Sequence, residues 1–335
     1  MSTGKQNDEQ HQQEGALIDA TELERLLERS LPVDEIVHCI AYGSGVFAQQ
    51  SNMATPNVVD LIVVVRDTYQ FHRSNLQQNP AHYAGSPLML CRDPARCITS
   101  FQRHNLEFNH WLRNPKFYFN LCENNLKYGV VQKEDFLEDL QKWKYLYGAG
   151  RCHKPVLTFV KHDDEIEEAQ EKKNLPGAVS AALLLSESDT LSPVELFTRI
   201  AGLSYAGDPR MQVMAEDPKK VESLVKSPGQ LQRFSQLYEE SIHELEKQGI
   251  VNRLSNTDEI KHQRIEWDAR NPRVREILRK NIPFPVTQTS NLQERLRSTV
   301  AAAARYQSMK GLITAGLGKS LAYATRKLSK GLLRR

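Results

Sequence analysis

The chain has 335 residues, a net charge of +3, 40% hydrophobic and 25% charged residues. That length predicts two domains and that composition an ordinary globular core. Apolar runs such as "LIVVV" and "AALLL" fall short of the roughly 18–20 residues of a helical membrane span, which excludes an integral membrane protein of that kind.

The first fifteen residues, "MSTGKQNDEQHQQEG", are polar and lack arginine, and read as disordered rather than as a signal or transit peptide. Leu23, Leu26, Leu27 and Leu31 then recur at helical spacing behind Asp19 or Thr21 as a cap, and Pro32 ends the helix. "EIVHCIAYG" reads as a strand entering a small-residue turn. "DLIVVV" reads as a second strand, apolar on both faces and therefore central in a covered sheet. A polar helical segment, "FHRSNLQQNPAHYAG", stops at Pro80, and "KFYFNLCENNLKYGVV" predicts two short strands around an Asn-Asn turn.

In "KEDFLEDLQKWKYLYGAG" the residues Phe136, Leu137, Leu140, Trp143 and Tyr147 share one stripe of a predicted helix, with Gly148 and Gly150 as stop signals. "KPVLTFV" is one more strand. The charge run at 161–174 reads as a solvated linker or exposed helix face and marks a domain boundary. Beyond it the pattern is helical: "NLPGAVSAALLLS", "SPVELFTRIAGLSY", "PKKVESLVK" and "GQLQRFSQLYEESIHELEKQG", with Ser192, Pro193 and Glu195 in capping-box spacing. The divisions expected are a disordered 1–15, an α/β domain over 16–165, a helical domain over 170–290 and a basic segment over 291–335. Cys39, Cys91, Cys97, Cys122 and Cys152 form no CxxC pair and no even disulfide framework, so a reducing compartment is expected and a zinc site is not.

Gly43-Ser44-Gly45 follows the first strand, and Asp60 opens the second. The pair has two readings. One is a tight bend with an edge carboxylate. The other is a nucleotidyl-transfer site, which needs backbone amides for a polyphosphate, an acid for a divalent metal, and an aligned acceptor. Lys127, Arg151 and Lys154 stand at strand or helix ends, as plain surface charge or as phosphate partners. His72, His82 and His110 read as surface or hydrogen-bonded side chains rather than ligands.

The turn and the Asp-bearing strand resemble the nucleotidyltransferase signature. "YGSGVF", "DLIVVVRD", "FHRSNLQQNPAHY", "LKYGVV", "DLQKWKYLYGAGR", "KPV", "GLSYAGDPRM", "EDPKKV" and "MKGLITAGLGKSLAY" together resemble, in order, the mitochondrial translocator assembly and maintenance family. That resemblance implies an α+β fold: a nucleotidyltransferase-like mixed sheet with flanking helices, a mainly helical winged-helix-like domain, and a C-terminal amphipathic helix. It implies a magnesium-dependent phosphatidate cytidylyltransferase that makes CDP-diacylglycerol and pyrophosphate from CTP and phosphatidic acid. The place implied is the matrix side of the mitochondrial inner membrane, on the way to cardiolipin.

On this sequence Gly43, Ser44 and Gly45 would cradle phosphates and Asp60 would lead the metal shell. Lys127, Arg151 and Lys154 would meet triphosphate or phosphatidate charge, with Lys127 beside Asp60 in the catalytic role. Asp208 and Arg210 would lie at a domain interface near the lipid headgroup. The usual second acid, two residues after the first, is replaced by Ile62, and Asp67 falls on the other strand face. Two alternatives remain: a non-catalytic membrane-associated assembly factor on this fold, and a nucleotidyltransferase acting on RNA.

Residues 291–335 hold ten Lys or Arg against one acid, Glu294, a local charge of +9 that leaves −6 for the remainder. On a helix Leu317, Leu321, Leu328 and Leu332 share one side, and Lys319, Arg326, Lys327 and Lys330 the other. Only Arg335 breaks the separation. This pattern predicts a helix lying on an anionic membrane surface, with docking onto the acidic body as its rival. Aromatics are too sparse among the charges for RNA binding, so no nucleic acid is expected, and no obligate protein partner is inferable.

Overall fold

The computed structural model describes residues 20–43, 45–47, 58–83, 86–104, 111–121, 126–159, 163–209, 220–254, 260 and 263–315. The expectations for residues 1–19, Ser44, His110, Cys122, Arg210 and the whole leucine-and-basic stretch from Leu317 to Leu332 lie outside them.

Helix α1 (Ala20–Ser30) leads into β1 (Ile36–Tyr42) and β2 (Val59–Val65). Helices α2 (Thr68–Gln78) and α3 (Pro94–Arg103) follow, then β3 (Tyr118–Leu121), β4 (Leu126–Gln132), α4 (Lys133–Lys142), α5 (Ala149–Cys152) and β5 (Leu157–Phe159). The five strands form one sheet in the order β3-β4-β2-β1-β5; β2 and β4 run parallel and the other pairs antiparallel. The fold is thus α+β with a mixed sheet, and β2 holds its central place because both its faces are apolar. Leu61, Val63 and Val65 pack with Leu23, Leu27 and Leu31 of the α1 segment, while Ile62 and Val64 pack with Phe136 and Leu140 of α4. Each such buried side chain contributes about 1.5–3 kcal/mol.

The helical part comprises α6 (Asp164–Ala169), α7 (Leu175–Leu184), α8 (Pro193–Leu203), α9 (Lys220–Lys226), α10 (Gln230–Lys247), α11 (Pro272–Asn281) and α12 (Thr289–Ala315). It also carries an antiparallel sheet of β6 (Thr190–Leu191), β8 (Arg264–Trp267) and β7 (Val251–Leu254), which the helical pattern does not announce. Ser192 and Glu195 make the expected capping box.

Three expectations are corrected. The helix predicted to run to Gly148 ends at Lys142, with Trp143 and Leu146 in left-handed conformations (φ 48° and 52°). The cause is Asp139, a buried carboxylate. Its Oδ1 accepts from the amides of Tyr145 and Leu146 at 2.8 Å each, and its Oδ2 from Tyr147, Gly148 and Ala149 at 2.9, 2.8 and 3.1 Å. Left-handed backbone costs about 1–2 kcal/mol per residue. Hydrogen bonds to a charged group return about 1.5–3 kcal/mol each, so the wrapped loop wins over another helical turn.

Of the two readings of the charge run, the exposed helix face holds and the linker does not. Residues 164–174 are helical, the last five as a π-turn that runs straight into α7. Asn174 is fully buried there, accepting from Trp143 Nε1 at 2.7 Å and lying 2.9 Å from His153 Nε2. One apolar core extends across this segment, from Ile40 and Ile62 to Leu196 and Phe234.

The third correction concerns sulfur: Cys91 and Cys97 form a disulfide, while Cys39 and Cys152 are free and buried.

Residues 291–315, counted with the basic tail by their charge, pack within α12. Leu292, Leu296 and Val300 join the main core. Lys310 is buried, and its Nζ donates to Gln102 O, Asn114 Oδ1 and Phe117 O at 2.9–3.0 Å, tying α12 back to the sheet domain.

His72 and His153 are fully buried, and burial pulls their imidazoles down to about 4 and about 3. An unfolded histidine titrates near ~6.5, so the unfolded chain binds more protons below that pH. The stability from these neutral rings is therefore present above the unfolded value and lost as pH falls through the window toward about 4. Urea denaturation at about pH 5 instead of 7 is expected to register a loss of up to about 2 kcal/mol per histidine. An unchanged midpoint would show that both rings take up protons where they stand.

Candidate active site

The sheet brings the turn and the carboxylate together. Tyr42 at the end of β1 is the register partner of Asp60 on β2, and Asp60 is the partner of Lys127 on β4. Because β2 and β4 are parallel, their first residues emerge at the same sheet end as the turn after β1. Gly43 has φ +87°, and its carbonyl accepts from the amides of Val46 and Phe47 at 3.2 and 3.3 Å. A Cβ on Gly43 would stand 3.6 Å from Asp60 Oδ2. A Cβ on Gly45 would stand 2.5 Å from the Val58 carbonyl oxygen, so that position excludes any side chain.

Asp60 Oδ1 lies 3.5 Å from Lys127 Nζ, which also sits 5.1 Å above the Phe119 ring. Both partners are partly exposed, so the pair adds little to stability; about 0–1 kcal/mol is usual for such pairs. It leaves the carboxylate accessible.

Arg151 and Lys154 complete the charged wall. The Arg151 guanidinium stacks 3.9 Å from the centre of Tyr147 and 5.3 Å from that of Tyr42, and its Nη1 donates to Tyr147 O. Burial opposes its charge, but the phenol oxygens of Tyr42 and Tyr147 outweigh this and hold its pKa above the usual arginine value. Burial likewise raises the Tyr42 phenol, against Arg151. Lys154 Nζ donates to Ser204 Oγ at 2.8 Å and to Gly150 O, and lies 5.3 Å over Tyr205.

These side chains line a cleft of about 820 Å³, counting its open mouth. Tyr42, Gly43, Asp60, Arg151 and Lys154 form the sheet-side wall; Tyr205, Leu224, Gln230 and Phe234 of the helical part form the other. Asp60 is the only carboxylate among the described lining residues. Lys127 reaches the cleft through Asp60. Asp208 is buried and not among the lining residues; its turn packs on α12, where a Cβ on Gly207 would meet the Arg297 carbonyl at 2.7 Å. Asp67 caps α2, accepting from the amides of Tyr69 and Gln70. His72 is bonded to Tyr83 and Gln102, and His82 to Tyr128.

Ile62 is a fully buried core residue, and no group of three or more His, Cys, Asp or Glu side chains converges among the described residues. The donor set is therefore one open carboxylate. That fits a hard cation arriving with a polyphosphate, since magnesium commonly takes one or two carboxylates and completes its shell with water and phosphate oxygens.

The family model described as "Phosphatidate cytidylyltransferase, mitochondrial" matches residues 23–290 and 286–330. The chain belongs to this family. Proteins bearing that same name include one from Xenopus laevis, 33% identical over 326 residues that cover 89% of this chain and 91% of the relative. The one from Rattus norvegicus is 33% identical over 328 residues, covering 89% and 91%. The one from Caenorhabditis briggsae is 27% identical over 321 residues, covering 90% and 96%.

For this member of the phosphatidate cytidylyltransferase family, sequence reading missed Tyr42, Tyr147 and the whole helical wall. Nothing local marks Gln230 or Phe234 as site residues, because their helix reaches the cleft only through the tertiary fold. Asp139 carried a signal: an acid inside an otherwise apolar stripe, which burial makes costly unless it is satisfied.

The turn itself is testable. Gly45→Ala is expected to lower stability by about 1–3 kcal/mol in urea denaturation, because the obstacle is backbone. Gly43→Ala is expected to cost about 1–2 kcal/mol through its left-handed φ. Wild-type stability in both would show that the turn relaxes freely.

Proposed function

We propose that this chain is a magnesium-dependent phosphatidate cytidylyltransferase, joining CTP to phosphatidic acid to give CDP-diacylglycerol and pyrophosphate, in the synthesis of cardiolipin. The observation that carries the reading is the meeting of Gly43, Asp60, Arg151 and Lys154 around one cleft. Backbone amides at the turn, with Ser44, bind the triphosphate, and Arg151 and Lys154 offset its charge from the sheet-side wall. Arg151 stays charged throughout, and its stacking on Tyr42 and Tyr147 holds it in place. Magnesium held by Asp60 and the phosphate oxygens would supply further neutralisation.

A phosphatidate oxygen attacks the α-phosphorus of CTP, the new P–O bond forms, and pyrophosphate leaves with the electron pair. That oxygen is already ionised near neutral pH, so positioning and charge carry the reaction and no general base is required. The helical part is read as winged-helix-like, supported by the β7–β8 pair after α10 with β6 alongside.

The reading places the enzyme peripherally on the matrix face of the mitochondrial inner membrane. No helix among the described residues is long and apolar enough to cross a membrane. Helix α12 ends beside exposed apolar side chains: Met309 is 50% exposed, and Trp111, 59% exposed, has Arg305 5.0 Å over its ring. An aromatic, a thioether and a cation on one face suit a lipid interface. The leucine-and-basic stretch from Leu317 to Leu332 continues the chain from that point.

Asp60→Ala is expected to lower CDP-diacylglycerol formation from CTP, magnesium and phosphatidic acid by about 100-fold or more. Absence of product from folded wild type would sink the reading, and nucleotide addition to RNA would redirect it. Truncation after Ala315 is expected to abolish sedimentation with cardiolipin-containing vesicles while the thermal melt stays unchanged; undiminished sedimentation would overturn the membrane role.

A further inference from the structure

The helical wall of the cleft holds an uncapped helix end. Helix α10 begins there with Gln230, and its N-cap is Gly229 (φ 72°), which supplies no side-chain cap. The first turn carries no acid. The Gln230 amide bonds to Ser227 O at 3.0 Å, and that of Arg233 to Gly229 O at 3.2 Å. Those of Leu231 and Gln232 find no acceptor among the described residues. An eighteen-residue helix thus turns an uncapped positive end toward a charged cleft.

The second observation is the Gln230 side chain. It is 5% exposed, lines the cleft, and makes no hydrogen bond to another described residue. The polar end of that side chain is not sealed off with the rest of the residue, so it is open to the cleft. Around it the wall is apolar, from Leu224 and Phe234 to Phe47 at the mouth, where Arg233 stacks 4.7 Å over the ring.

Nucleotidyl transfer must bring two anions to one phosphorus, and the sheet wall accounts for one of them. We propose that the α10 N-terminus is the subsite for the second, the acceptor phosphomonoester. The amides of Leu231 and Gln232 and the side-chain amide of Gln230 hold the phosphate of phosphatidate, and the apolar wall takes its glycerol and first acyl carbons. This rests on the cytidylyltransferase reading of the cleft. The Arg233 guanidinium lies back over Gly229 at the same helix end, and Lys154 faces the phosphate from the other wall, so both cations offset its charge.

The test uses the full chain with a short-chain phosphatidate, dihexanoyl phosphatidic acid, so that vesicle binding does not enter. Gln230→Glu is nearly isosteric, and a carboxylate in a first helical turn favours the helix, so folding is preserved. It is expected to raise the KM for phosphatidate at least tenfold and leave that for CTP within about twofold. The defect should grow as pH rises through the range where the new carboxylate ionises. Gln230→Leu should raise the same KM without that pH dependence. Glycerol 3-phosphate should compete with phosphatidate in wild type and less well against Gln230→Glu.

An active wild type whose variants keep their KM for phosphatidate would overturn the subsite alone. A rise in the KM for CTP instead, or glycerol 3-phosphate competing with CTP, would assign the helix end to the nucleotide and overturn it too. A wild type that makes no CDP-diacylglycerol would overturn the reading of the whole cleft.

Discussion

A single carboxylate organises the junction on which the site depends. Asp139 gathers five consecutive amides, from Tyr145 to Ala149, and so decides where α4 stops and which way the chain leaves it. The loop it folds carries Tyr147 under Arg151 and hands the chain to α5, which bears Arg151 itself. The same bend seats Trp143 against Asn174 and His153, the polar contacts at the heart of the seam between sheet and helical layers. Two left-handed residues are the local cost, and five amide bonds to a buried acid exceed it.

That seam is packed rather than hinged. One apolar core passes from the sheet through α4 and α7 to α8 and α10, and Tyr238 of α10 donates to the His153 carbonyl at 2.9 Å. Lys310 fastens α12 to the sheet domain through three acceptors. The cleft therefore sits between two walls that a shared core holds in position. Such a site can align two anionic substrates between fixed walls, which suits a reaction carried by placement and charge.

The apolar core also explains the missing acid. Ile62 shares the face of β2 that carries Asp60, but one step further along the strand that face is already covered by the α4 layer. A carboxylate there would be buried against Phe136 and Leu140 without a partner, at a cost of several kcal/mol. The acid at the open end of the strand stays accessible because the turn after β1 lies beside it, with a glycine in place of a side chain.

Periodicity alone determined much of this protein. The leucines of α1, the two-faced apolar run of β2, the hairpin of β3 and β4 and the Ser192–Glu195 box are all local patterns, and local patterns survive into the fold because short-range sterics and alternation produce them. The turn, Asp60, Arg151 and Lys154 were legible as residue types suited to a phosphate chain, and the ordered blocks as a family. Only the tertiary structure decided the rest. The stripe through Trp143 and Tyr147 was broken by a carboxylate whose partners lie six to ten residues away. The charge run became an exposed helix face anchored by buried Asn174, and α12 was claimed from the basic tail by apolar contacts with the main core and by the Lys310 hydrogen bonds. Gln230 came to line the cleft because another wall met its helix end. Each of these outcomes turns on burial and on partners remote in the chain, and neither is written in a residue's immediate neighbours.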